Sequence, residues 1–103
     1  MTHSFLFVTC PNHKSAEKIS EILLKKKLIA CANLLPTKSK YWWKGRIEKH
    51  LEVLMILKTK TKLYSRIKNE IKRLHPYDSP EIISFKIDKG NKDYLNWISE
   101  VVK

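Results

Sequence analysis

Tyr41-Trp42-Trp43-Lys44-Gly45-Arg46-Ile47 is the most informative stretch of this chain, because it places three large aromatic residues directly beside a predicted tight turn. Gly45 tolerates the positive φ that short hairpin turns need, so Lys44-Gly45 is the predicted hairpin centre. Beyond the turn, residues 47–58 follow a period-two pattern that predicts a strand of about twelve residues. At about 3.3 Å per residue this strand is roughly 40 Å long.

A hairpin of that length exceeds the body of the domain. A compact domain of 103 residues has a radius of gyration near 13 Å and therefore a diameter of about 34 Å. The hairpin carries its aromatic residues past the globule, and a lone monomer rarely exposes such a patch. We therefore predict an obligate oligomer of two or more copies.

The composition predicts one globular domain over residues 1–103, with 43% hydrophobic and 10% aromatic residues. No apolar run approaches the length of a membrane helix, and the first residues lack the charged start of a signal peptide. We expect a cytoplasmic protein with no membrane partner. Cys10 and Cys31 do not form a CxxC pair, and we expect buried free thiols rather than a disulfide.

The net charge of +11 raises the question of nucleic acid. Of the 21 basic residues only three are Arg, the residue that best makes bidentate phosphate and guanine contacts. We expect non-specific affinity for polyanions at low salt and no specific nucleic-acid partner.

Apolar periodicity places the remaining elements. Phe5 to Thr9 is an unbroken apolar run, as in a central strand buried on both faces. The other predicted elements are a helix carrying Ala16, Ile19, Ile22 and Leu23 after a cap at Asn12 or Ser15, a strand from Leu28 to Leu35, a helix carrying Leu63, Ile67, Ile71 and Leu74, a strand from Ile82 to Ile87, and a helix from Asn91 to Val102. Pro36 cannot donate to a ladder, so its strand either lies at an edge or breaks there.

The order β-α-β-β-α-β plus a closing helix predicts an α+β, ferredoxin-like sandwich with two helices on one face of an antiparallel sheet. That fold hosts many unrelated functions.

Five sequence motifs indicate a family more specifically than the fold does. They are Lys27-Leu28-Ile29-Ala30-Cys31-Ala32-Asn33, Tyr41-Trp42-Trp43-Lys44-Gly45-Arg46-Ile47-Glu48, Ile56-Leu57-Lys58-Thr59, His75-Pro76-Tyr77-Asp78-Ser79-Pro80-Glu81-Ile82-Ile83 and Gly90 with Tyr94-Leu95-Asn96-Trp97-Ile98. Through these motifs the chain resembles the CutA family.

The resemblance runs from about Val8 to Ile98, and it implies a homotrimeric, ferredoxin-like divalent-cation tolerance protein. It also implies copper binding, although no cofactor is obligatory. Four positions depart from the usual pattern: His13, Lys40, Arg46 and His50.

The metal candidates are Cys31, His75 and Glu81, with Cys10 as an alternative thiol. Cysteine sulfur is a soft copper ligand, but a cysteine in an apolar strand is more often packing. His75 either binds a ligand or caps the last helical carbonyls. No local spacing of the sequence supports a metal site, and we expect the other histidines, His3, His13 and His50, to be exposed.

The resemblance also implies a cleft between subunits. Its candidate ligand-binding residues are Trp43, Lys58, His75, Tyr77, Glu81, Tyr94 and Trp97. A lysine beside aromatic rings and a carboxylate suits a small anionic or polar ligand. The alternative is an intersubunit network, which the helical spacing of Tyr94 and Trp97 favours. Trp42 and Trp43 alternate faces, so we expect one to pack inward and the other across the subunit boundary.

The sequence favours binding over catalysis. It contains no glycine-rich phosphate loop or HExxH motif, and Gly occurs only twice. The alternatives to metal tolerance are a stable trimeric scaffold and a small-molecule signalling protein with an intersubunit cleft. An enzyme using His75, Glu81 and Lys58 for acid–base chemistry is a further alternative.

Overall fold

The computed structural model describes residues 2–103. The elements follow the predicted order: β1 (His3–Cys10), α1 (His13–Lys25), β2 (Cys31–Trp43), β3 (Arg46–Lys60), a short 3-10 turn (Thr61–Leu63), α2 (Tyr64–Leu74), β4 (Ile82–Lys86) and α3 (Lys92–Val101). This is the predicted α+β arrangement. None of the helices in residues 2–103 is both long and apolar enough to cross a bilayer.

The four strands form one antiparallel sheet in the order β2-β3-β1-β4. Alternation along β1 divides its side chains between the two faces: Leu6, Val8 and Cys10 are fully buried, whereas Phe5 and Phe7 are only partly buried. The prediction of a central strand is confirmed, but the predicted burial on both faces is wrong for a single chain. One face of the sheet retains substantial exposed apolar area.

Two helices cover the other face. α1 buries Ala16, Ile19 and Leu23, and α2 buries Ile67 and Ile71, so each apolar stripe packs on the sheet. We call residues 13–27 and 61–74, which contain these helices, the helical layer. Asn12 is the N-cap of α1, because its side chain accepts a hydrogen bond of 2.9 Å from the Ser15 amide.

α3 packs at the end of the sheet where β1 begins. His3 is buried there, with its Nε2 atom 2.7 Å from the Ser99 hydroxyl, so the expectation that His3 is exposed is wrong. The buried Lys60 ammonium donates to the Lys103 carbonyl oxygen at 3.2 Å. These long-range contacts tie α3 to both central strands.

β2 differs from its prediction at both ends. It begins at Cys31 rather than Leu28, because Leu28 and Ile29 are buried in the core ahead of the strand, and the Thr59 hydroxyl donates to the Leu28 carbonyl at 2.6 Å. The strand then continues through Pro36 to Trp43. Pro36 is accommodated because β2 lies at the edge of the sheet and pairs only with β3.

The hairpin is longer than predicted. β2 has 13 residues and β3 has 15, and the register joins Trp43 to Arg46 across the turn. Lys44 and Gly45 have φ of 49° and 76°, the paired positive values of a type I′ turn. β1 accompanies β3 only as far as Val53, so residues 46–52 pair with β2 alone and this part of the hairpin extends beyond β1 and β4. The longest dimension of the molecule is 44 Å, against 26 Å and 22 Å for the other two.

Candidate functional site

The predicted site residues occupy separate parts of the chain. His75 and Tyr77 lie in the connection between α2 and β4, and Lys58 and Cys31 lie opposite each other on β3 and β2. Trp43 is at the hairpin turn. Two local groups result, each joined by side-chain contacts.

His75 is buried, and hydrogen bonds engage both ring nitrogens. Nε2 donates to the Thr9 carbonyl at 2.8 Å, and Nδ1 accepts from the Tyr77 amide at 3.0 Å. The ring therefore joins β1 to the connection that follows α2. The predicted capping of helical carbonyls comes instead from the His75 backbone amide, which donates to the Ile71 carbonyl at 2.8 Å. With both nitrogens engaged, metal ligation would have to break one of these bonds.

Tyr77 forms the second link of this group. Its hydroxyl donates to Glu52 Oε2 at 2.9 Å, and its ring lies 4.9 Å from that of His75. Partial burial, together with the hydrogen bond and negative charge of Glu52, raises the pKa of Tyr77 to about 12. The hydroxyl is therefore a donor at every physiological pH.

Glu52 is a residue that the sequence analysis missed. Its side chain is buried although it lies in a strand where alternation alone predicts an exposed carboxylate. The cause is the loop carrying Tyr77, which is 25 positions away in the sequence. No local signal could identify this contact. An open depression of about 220 Å³ adjoins the carboxylate and is lined by Pro11, Asn12, His13, Pro36, Leu51 and Val53 as well as Glu52.

Cys10 completes the group beneath His75. Its Sγ atom lies 3.8 Å from His75 Nε2, and the residue is fully buried, as predicted. Burial, and to a lesser extent the Glu52 charge, raise the pKa of the Cys10 thiol to about 11. A protonated thiol is a weak metal ligand and a weak nucleophile. We name Cys10, Glu52, His75 and Tyr77 the polar cluster.

The second group surrounds Cys31, which is a free thiol but only partly buried. Lys58 donates to Asn33 Oδ1 and lies 3.8 Å from Cys31 Sγ. Tyr94, on α3, adjoins this group: burial, and to a lesser extent the neighbouring Cys31 thiol, raise the pKa of the Tyr94 hydroxyl. Asn33, which the analysis of the sequence did not single out as a site residue, completes the set.

The aromatic residues of the second group remain accessible in one chain. Tyr94 and Trp97 have ring centroids 5.5 Å apart and are about 40% exposed. Their helical spacing therefore does not place them in the core of the single chain. Trp42 and Trp43 at the hairpin are more exposed still, at 73% and 56%. We expected one of them to pack inward, but within one chain neither does. Lys44 Nζ lies 5.7 Å from the Trp43 ring centroid.

The metal candidates do not converge within one chain. Across residues 2–103, no three His, Cys, Asp or Glu side chains come together as a group that could hold a metal ion. Cys31 contacts Lys58, His75 contacts Cys10, and Glu81 is exposed at the start of β4. Cys31, His75 and Glu81 therefore do not form a metal site within one chain.

Comparison with known proteins identifies a consistent set of relatives. The family described as CutA1 divalent ion tolerance protein matches residues 4–101. The divalent-cation tolerance protein CutA of Pyrococcus horikoshii is 49% identical over 98 residues, covering 95% of this chain and 96% of that protein. The corresponding protein of Archaeoglobus fulgidus is 42% identical, with 98% and 99% covered.

Solved structures show the same fold. The structure of the A. fulgidus protein, described as a periplasmic divalent cation tolerance protein, superposes with a TM-score of 0.96 at 42% identity, and it covers 98% of this chain and 99% of that one. CutA1 from Oryza sativa gives a TM-score of 0.97 at 33% identity, with 100% and 95% covered. The likeness spans the whole sheet and all three helices.

Proposed function

This chain belongs to the CutA1 family of divalent ion tolerance proteins, and from that membership we propose that it acts in divalent-cation tolerance as a homotrimer that binds a ligand. We propose binding rather than catalysis, with copper or another divalent cation as the ligand and with no obligatory cofactor. The observation that carries the proposal is the sheet face left uncovered by α1 and α2.

That face is apolar and aromatic. Phe85 stacks on Phe5 at 5.0 Å between ring centroids and also lies 5.0 Å from Phe7. Pairing of Phe7 with both Ile56 and Ile83 places two further apolar side chains on the same face. Phe85 and Ile83 are 40% and 46% exposed. We name Phe5, Phe7, Ile56, Ile83 and Phe85 the open face.

The open face and the projecting hairpin both favour self-association. Monomers rarely expose contiguous apolar patches of this kind. The hairpin adds Trp42, Ile47 and Leu51, which are 73%, 58% and 77% exposed. These two surfaces support association of copies, and the earlier resemblance to the family supplies the number three.

Sedimentation equilibrium tests the assembly. We expect a particle of three times the 12.2 kDa chain mass at micromolar concentration. A well-behaved 12.2 kDa particle would contradict the proposal, and every intersubunit role assigned to Trp43, Lys58, Tyr94 and Trp97 would be lost with it.

The proposed ligand site lies between subunits, because one chain does not gather three metal-binding side chains within residues 2–103. Cys31 is the thiol that can contribute, being partly exposed, whereas the Cys10 thiol is buried and protonated. Glu81 is exposed and can meet a neighbouring copy. A small anionic ligand at Lys58, Tyr94 and Trp97 is the second candidate, favoured by a lysine that contacts Cys31 and by two accessible aromatic rings, of which Tyr94 also adjoins Cys31.

Calorimetric titration with Cu²⁺ tests the metal as the ligand. We expect saturable binding by the wild type and at least tenfold weaker binding by Cys31→Ser and Glu81→Gln, with His75→Ala included as a third variant. Because His75 is buried and doubly hydrogen-bonded, its variant is interpreted only if the trimer and circular dichroism are retained. Uptake no greater than that expected for four scattered histidines would contradict direct binding.

We further propose a cytoplasmic location without membrane or sequence-specific nucleic-acid partners. Two free thiols suit a reducing compartment. Fractionation of cells expressing the protein from its own gene tests the location, and periplasmic recovery would contradict it. Turnover of any substrate that is lost in His75→Ala, with the trimer intact, would contradict the proposed absence of catalysis.

A further inference from the structure

The basic residues of the chain are unevenly distributed. The helical layer, residues 13–27 and 61–74, contains ten basic and three acidic residues, and so carries +7 of the net +11. Nine of these ten basic residues are exposed, and the tenth, Lys68, is partly buried beside the Tyr64 ring. The charge surplus therefore belongs mainly to one layer of the molecule.

Acidic neighbours neutralise little of this charge. Glu70 joins the two helices by accepting from Lys26 at 2.8 Å and from Arg73, and these two hydrogen bonds lower its pKa. Within residues 2–103, neither Glu17 nor Glu21 forms a salt bridge. Most of the cations in the layer therefore face solvent without a partner, on a surface about 20 Å long, the length of the 13-residue α1.

We propose that the helical layer is a docking surface for the phosphate backbone of duplex nucleic acid, bound without regard to sequence. The layer lies opposite the open face, so self-association and docking use different sides of the molecule. The proposal goes beyond cation tolerance and does not depend on the trimer.

The composition of the layer favours this partner over other anions. Insertion of a helix into a membrane surface needs an exposed apolar face, but the apolar faces of α1 and α2 are in the core. Leu24 is the one large apolar side chain of the layer that is exposed. The core of a protein interface needs similar apolar anchors. Single-stranded nucleic acid is bound by stacking on accessible aromatic rings, whereas Tyr64 in this layer is partly buried and has Lys68 Nζ 5.9 Å from its ring centroid.

The predominance of lysine explains why the surface would bind duplexes of any base sequence equally. Eight of the ten basic residues are Lys, with Arg66 and Arg73 the exceptions, and Arg73 is engaged with Glu70. Lysine acts as a point charge toward phosphate, whereas bidentate base contacts favour Arg. Affinity should therefore come from counterion release and fall steeply with salt.

Fluorescence anisotropy with a labelled DNA duplex of about 30 base pairs tests the proposal. We expect the wild type to bind with a Kd of about 10⁻⁶ to 10⁻⁴ M near physiological salt, and equally for two unrelated sequences. The layer variant combines Lys18→Gln, Lys25→Gln, Arg66→Gln and Lys72→Gln. The matched control combines Lys86→Gln, Lys89→Gln, Lys92→Gln and Lys103→Gln, which removes the same charge outside the layer.

The layer variant should weaken binding at least tenfold and reduce the steepness of log K against log salt by up to about 3.6, because each of the four lost phosphate contacts contributes about 0.9. The control should retain the wild-type slope. Equal losses in both variants would overturn the proposal, since net charge alone would then account for binding. No measurable binding near physiological salt, or tighter binding to anionic vesicles than to DNA, would also overturn it. Circular dichroism and sedimentation establish that both variants retain the fold and assembly.

Discussion

At the scale of single residues, the hydrogen bond between Tyr77 and Glu52 is the clearest link between a loop and the sheet. Tyr77→Phe removes the donor and leaves a buried carboxylate short of a partner. We expect the free energy of unfolding to fall by about 1–3 kcal/mol in urea titrations at fixed protein concentration. Glu52→Gln keeps an oxygen acceptor for the Tyr77 hydroxyl and should lose less stability than Tyr77→Phe. If Tyr77→Phe has the same free energy of unfolding as the wild type, the hydrogen bond does not link the loop to the sheet.

The same hydroxyl should make stability depend on alkaline pH. The pKa of Tyr77 is raised from 10.0 to about 12, so above pH 10 the unfolded chain ionises this group while the folded chain keeps it protonated. The stability it contributes is complete below pH 10 and is lost as pH rises toward about 12. The stability difference between wild type and Tyr77→Phe should therefore shrink over that interval. A constant difference would show that the hydroxyl is not coupled to Glu52.

The two thiols should differ in reactivity. Cys10 is 0% exposed and its pKa is raised to about 11, so almost none of it is thiolate at neutral pH. In folded Cys31→Ser we expect no reaction with a thiol reagent on the timescale of minutes, and one reacting thiol once urea is added. Cys10→Ser, which keeps only the partly exposed thiol, is the matched comparison. Rapid labelling of folded Cys31→Ser would be inconsistent with the buried position.

The residue scale is also where sequence reasoning reached its limit. The motif around His75 was visible, but its ring bonds to Thr9, 66 positions away, and no local pattern encodes that partner. The burial of Glu52 and His3 has the same origin, because Tyr77 and Ser99 cover them from distant parts of the chain. Chemical type was readable from the sequence, whereas pairing depended on tertiary contacts.

At the scale of elements, the hairpin turn provides a direct test of backbone conformation. Gly45 has φ of 76°, and a Cβ built there would meet nothing within 4 Å. Any penalty for a side chain is therefore conformational rather than steric. We expect Gly45→Val to lower the free energy of unfolding by about 1–2 kcal/mol, and Gly45→Asn to lower it by less, because Asn tolerates this region. Equal effects of the two variants in urea titrations would argue against a type I′ turn.

Element type was predictable where periodicity was strong, and boundaries were less so. The turn at Lys44-Gly45 and the amphipathic helices were specified locally by glycine and by apolar spacing. The start of β2 was not specified locally. Leu28 and Ile29 are apolar enough for a strand, but they are buried in the core ahead of the first strand residue, Cys31. Pro36 left two possibilities open, and the position of β2 at the sheet edge selects one of them.

At the scale of the whole molecule, the length of the hairpin relative to the body was the prediction that sequence supported best. Period-two alternation continues through residues 47–58, and the resulting molecule is 44 Å long and 22 Å across its shortest dimension. The open face could not be predicted in this way, because a run such as Phe5 to Thr9 is equally compatible with a strand covered on both sides. The bare face became evident only when the positions of α1 and α2 were known.

Self-association through the open face can be tested by two substitutions at sites of nearly equal exposure. Phe85, on the open face, is 40% exposed, and Leu24, on the helical layer, is 41% exposed. Phe85→Glu would bury an unpaired carboxylate in the proposed interface, so we expect sedimentation to show dissociation or at least a hundredfold weaker association. Leu24→Glu adds the same charge and should leave the assembly unchanged. Dissociation by Leu24→Glu, or an intact assembly with Phe85→Glu, would place the interface on a different side of the molecule.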